Sequence, residues 1–236
     1  MSFVTSIFWF VALFKLLRTL RKEIGNELDV RYNAEYSSRP EKVRPKKLRY
    51  GSYAVYVSLF FSLDIVFDEI RIIPASFMFM CLFFAALMLK DFADFKKVFI
   101  LSPLAFFLLL GAEIHHVFLV PYGAVYVEET PIVTVITGAL LAVAFAFVGL
   151  LCIRYFLITV RNLQKSLGGS EINIGIAWVS YCVLVALWSL GYVVPYFYSY
   201  FATLRFFAAC FFIWQVSKIF VRINDEEYER FVMLGK

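Results

Sequence analysis

From Pro131 to Val160 the chain runs thirty residues with a single charged side chain, Arg154. A helix of that length rises about 45 Å, more than the roughly 30 Å of hydrocarbon in a bilayer, so it must tilt or project beyond the membrane. Lipid offers no hydrogen bonds, and a helix satisfies its own backbone there. The run is one of a series. Apolar stretches recur at Gly51 to Phe67, Ile72 to Leu89, Val98 to Val120, Ile174 to Phe197 and Phe201 to Val221, and a shorter one lies between Ser2 and Leu17. With 62% hydrophobic residues, against roughly 45–50% in soluble domains, the chain carries more apolar surface than a soluble core can hide. These runs predict one integral membrane domain over residues 1–236, an all-α polytopic helical bundle of seven spans.

The polar segments predict orientation. Residues 18–50 carry ten basic and five acidic side chains and form a basic loop, which counts as cytoplasmic because Lys and Arg decide the side. The segment that follows Val120, PYGAVYVEETP, has two acids and no base and suits the outer face. The N-terminus is then outside, and residues 222–236 form a short cytoplasmic tail. Ser2 to Leu17 is the weakest span, because its uninterrupted apolar part ends at Phe14. Without it there are six spans and both termini are inside. The opening residues lack a basic n-region and an AxA-like site, so no signal peptide is expected.

A net charge of +5 sits mostly in these flanks and describes topology; no nucleic-acid partner is expected. Arg39, Lys42, Arg44, Lys46, Lys47 and Arg49 crowd the end of the basic loop and are candidates for contact with anionic headgroups or a protein partner.

Chemistry concentrates near the far end of the Val98 to Val120 run. Glu113 and both histidines of the chain, His115 and His116, lie there, and ionisable groups inside a membrane mark functional sites. In the predicted orientation Asp64 and Arg205 fall at the same outer level, with Tyr192 beside them on another helix. Lipid cannot satisfy such groups, which points to a polar chamber opening outward in which Arg205 pairs with Asp64 or Glu113. The simpler reading is that each group reaches water on its own. Glu113 and His116 stand at i,i+3 on one helical face, a pair suited to sensing protons or a ligand.

Other chemistries lack their residues. Glu113-x-x-His116 is half of a di-iron bundle motif whose second half is missing, and adjacent His115 and His116 point about 100° apart; no metal or cofactor is expected. Lys218 sits too near the inner boundary to hold retinal. Cys81, Cys152, Cys182 and Cys210 all lie in apolar runs without ligand spacing and behave as small hydrophobes. The signatures HExxH, GxSxG, Walker A and GxGxxG are absent from the sequence.

Along the longest run, Gly138, Ala142 and Ala146 recur every four residues and Gly149 continues near the same side. Small side chains let helices approach closely, so this ridge is a candidate helix-packing interface, within the chain or in a homo-oligomer. The expected function is binding: a membrane sensor or accessory subunit of a larger complex in the cell membrane. A small-solute or ion transporter or channel component is the alternative, and a lipid-modifying enzyme using Glu113 and His116 is the third.

Overall fold

The computed structural model describes residues 15, 43–63, 66–67, 70–71, 74–119, 132–166, 172–193 and 201–234, without the side chains of 43–47, 66–67, 70–71, 116–119, 192–193 and 225–234. Among them are six helices: α1 (Val43–Phe61), α2 (Phe77–Leu89), α3 (Lys96–Leu119), α4 (Ile132–Ser166), α5 (Gly175–Val193) and α6 (Ala202–Leu234). A two-residue hairpin, β1 (Val66–Phe67) with β2 (Ile70–Arg71), separates α1 from α2 and pairs Val66 with Arg71 and Phe67 with Ile70.

Caps explain several helix starts. The Asp94 carboxylate accepts the backbone N–H of Lys96 at 3.2 Å and the Asn173 side-chain oxygen that of Gly175 at 2.8 Å, each satisfying a donor that the first turn leaves over. Pro45 falls in the first turn of α1, where its missing N–H costs nothing.

Helices adjacent in sequence pack side by side, and α6 returns to α1, so the six close a ring. Neighbours run antiparallel. Gly51 lies against Leu89 and Ser58 donates to the Met78 carbonyl at 2.7 Å between α1 and α2. Phe77 meets Phe106 and Phe83 stacks on Phe99 between α2 and α3, while Gly111 faces Leu141 and Lys97 covers the Tyr155 ring between α3 and α4. The seam between α6 and α1 is held by Tyr56 against Phe220 and by the Ser52 hydroxyl, 3.3 Å from Asn224 Oδ1. We call the end where α2, α4 and α6 begin the upper end.

Aromatic side chains fill the middle. Phe79, Phe145 and Trp188 link α2, α4 and α5 at ring separations of 5.8 and 6.0 Å, and Phe95, Phe156 and Phe220 form a second chain toward the lower end. The outer surface is also apolar: Ile100, Phe107, Val133, Leu140, Phe147 and Phe207 are all exposed. A soluble monomer rarely exposes so continuous an apolar surface. Three helices, over Lys96–His115, Ile132–Ser166 and Ala202–Asn224, are long and apolar enough to cross a membrane. These features mark a membrane protein.

Several predicted boundaries move. Of the run from Ile72, helix covers Phe77–Leu89, thirteen residues; Ile72 and Ile73 lie outside the described residues, and Pro74, Ala75 and Ser76 form a turn ahead of the helix. The run from Gly51 to Phe67 ends as helix at Phe61 and finishes in the hairpin. Helix α1 starts at Val43, inside the stretch read as basic loop, since Lys and Arg are good helix formers. Helix α4 continues past Val160 to Ser166, and α6 runs through the expected tail to Leu234. Ser2 to Leu17, the weakest predicted span, lies outside the described residues apart from the helical, exposed Lys15.

Candidate functional site

The site is built where α3 passes the start of α2. Ser76 occupies the N-cap of α2 but turns away from its own helix. Its backbone N–H donates to Glu113 Oε1 at 3.1 Å and its hydroxyl donates to Glu113 Oε2 at 2.6 Å. A carboxylate from a different helix thus accepts the N–H of the N-cap residue, the part that an N3 side chain plays in a capping box. Both bonds are charge-assisted, and a negative charge at a helix N-terminus meets the positive end of the macrodipole. Ser76 is fully buried and Glu113 is only 4% exposed, so this pairing sits inside the bundle.

His115 is buried too, at 6% exposure, but two residues on a helix turn it about 200° from Glu113. It lies one turn beyond Gly111, whose added Cβ would come within 3.8 Å of Leu141. Glu113 therefore serves the α2 flank of α3 and His115 the α4 flank. The Nε2 atom of His115 makes no hydrogen bond among the described residues.

Arg205, four residues into α6, is 2% exposed. It heads a stripe of Ala209, Phe212, Val216, Phe220 and Ile223, all buried, at the spacing of one helical face. That face is the inward one. A cation therefore stands at the upper end of an otherwise apolar stripe, at the same end of the bundle as Glu113. Asp64 lies outside the described residues. His116 and Tyr192 lie on α3 and α5, and their side chains are outside the described set.

Below this level the interior is apolar and aromatic. Tyr181 and Phe212 pack at 5.1 Å between α5 and α6, and the Tyr181 hydroxyl, Trp188 Nε1 and Ser102 Oγ are buried without a hydrogen bond among the described residues. Buried polar atoms are nearly always paired, so these three, with Ser189 Oγ beside Trp188, stand out in the interior below the site. Sequence reasoning passed over the three and over Ser76. For Ser76 there was a signal: a serine two residues after a proline and just before an apolar run reads as a helix N-cap.

On α4, Gly138, Ala142 and Gly149 are buried on the inward face, and Ala146 is half-buried against the core. A Cβ on Gly149 would stand 3.4 Å from Phe79 of α2. Of the basic stretch, Arg39 and Lys42 lie outside the described residues and Arg44, Lys46 and Lys47 are on the first turns of α1, while Arg49 is exposed. Among the described residues no three His, Cys, Asp or Glu side chains gather around a common point where a metal ion would fit. The chain matches no protein-family model, no curated protein and no solved structure.

Proposed function

We propose that this is a multi-pass protein of the cell membrane that acts by binding, as a sensor or as an accessory subunit of a larger complex, with a polar chamber at the upper, outward-facing end. In this reading the chain has seven spans, or six if the first segment does not cross. The observation that carries it is Glu113 and Arg205, opposite in charge and both buried at one end of a bundle whose middle is aromatic. A polar end above an apolar plug makes a blind pocket. A transporter needs the polar path to continue, and Phe145, Phe156, Trp188 and Phe212 occupy the described interior below. Partners follow from the lack of any soluble output segment among the described helices: a signal has to leave through the lower loops, with the basic start of α1 as the contact for headgroups or protein.

Cysteine accessibility tests this. In a variant with Cys81, Cys152, Cys182 and Cys210 replaced, His115→Cys reacts with a membrane-impermeant maleimide added outside intact cells, and Phe212→Cys does not. Failure of His115→Cys to label removes the chamber. Labelling at both positions, with solute flux in proteoliposomes, turns the reading toward transport.

A further inference from the structure

Away from the chamber, α5 and α6 leave a groove of about 420 Å³ on the outside of the bundle. Ile176, Val179 and Val183 of α5 form one wall and Ala208 and Phe211 of α6 the other. The one hydroxyl on its walls, Ser180, donates to the Ile176 carbonyl at 2.6 Å, and the other polar side chain of the lining, Asn173, stands at the lower mouth with its oxygen on the Gly175 N–H. Val179 is 60% exposed and Phe211 44%, which leaves the groove open on the side that faces lipid.

Its lower end is different. Tyr181 and Phe212 meet at 5.1 Å on antiparallel helices, so a step back along α5 matches a step forward along α6. Six residues on, Gly175 at the groove mouth is level with Lys218. Lys218 stands seven residues, two turns, beyond Phe211 and hence on the same face of α6. Its Nζ lies 3.5 Å from the centre of the Trp214 ring, which holds the ammonium against the helix surface. The groove thus runs from apolar walls to a fixed, exposed cation beside the bilayer boundary.

We infer that this groove holds an anionic glycerophospholipid of the adjoining leaflet, an acyl chain lying between α5 and α6 and the phosphate meeting Lys218. Charge complementarity selects the headgroup: apolar walls accept any acyl chain, and Lys218, with exposed Arg222 one turn further on the same face, discriminates for net negative charge. The inference rests on the membrane reading and not on the chamber at the upper end, so failed labelling of His115→Cys leaves it untouched.

Native mass spectrometry of the full chain in detergent, with phosphatidylglycerol and phosphatidylcholine of the same acyl chains in competition, tests it. Phosphatidylglycerol is expected to be retained in preference, and Lys218→Gln to lower that preference about fivefold, the factor that corresponds to about 1 kcal/mol for one surface cation. Val183→Trp, at an exposed wall position, lowers binding of both lipids while the melting temperature in detergent alone stays unchanged. Equal binding of the two lipids by the unmodified protein, or an unchanged preference in Lys218→Gln, overturns the inference. So does a dimer that Val183→Trp disrupts with lipid binding unaltered, because a second copy then fills the groove.

Discussion

A carboxylate inside a helix bundle persists only where donors meet its charge, and for Glu113 those donors are the N–H and hydroxyl of Ser76. Glu113→Ala leaves two buried donors unpaired and is expected to cost about 1–3 kcal/mol, measured as a loss of unfolding free energy in detergent micelles by tryptophan fluorescence. Glu113→Gln, which keeps an acceptor oxygen, costs less. The double variant Ser76→Ala/Glu113→Ala should show a coupling of about 0.5–3 kcal/mol; additive single effects sink the capping account. Glu113, His115 and Arg205 were conspicuous in the sequence because ionisable groups inside apolar runs are costly. Their directions were not. A helix apolar all round carries no polar face from which to read an inward side, and the inward stripe of Arg205 emerges only from the burial of Ala209, Phe212 and Val216.

Helices of this chain touch most closely where side chains are smallest. A Cβ added to Gly51 would fall 2.6 Å from Leu89 Cγ, inside a buried contact between α1 and α2. Gly51→Val is expected to destabilise by about 1–3 kcal/mol through overpacking, and Leu89→Ala in the same chain to recover part of that loss. Without recovery, the clash is not the cause. The existence of α3, α4, α5 and α6 was legible from apolar runs alone, and most of their starts fall within a few residues of the prediction. The lower ends of α4 and α6 were not, because a helix continues as long as backbone and propensity allow, whatever the polarity of the residues. The Glu-rich segment after Asn224 extends α6 for this reason, and Lys and Arg extend α1 downward past Gly51. Helix α2 shows the reverse: Pro74 and Ala75, apolar and just ahead of it, form a turn.

Taken as a whole, the bundle is apolar inside and out, with charges at the ends of its helices. The protein is therefore expected to stay in the membrane pellet after alkaline carbonate extraction and to need detergent for release; recovery in the supernatant contradicts the membrane reading. Orientation is a separate matter. In the proposed topology Arg49→Cys, at an exposed position low on α1, reacts with an impermeant maleimide only after the cells are permeabilised, and reaction in intact cells inverts the bundle.

The seam between α6 and α1 has a consequence for how such a chain is made. Each described helix from α2 to α5 finds its predecessor as soon as it emerges, but the cylinder stays split along one side until the last stave arrives. The Ser52–Asn224 and Tyr56–Phe220 contacts join helices more than 160 residues apart, so their cohesion comes late and all at once. A ribosome stalled before residue 202 would leave the inward walls of α1 and α5 bare to lipid, a state that quality control can tell from the finished protein.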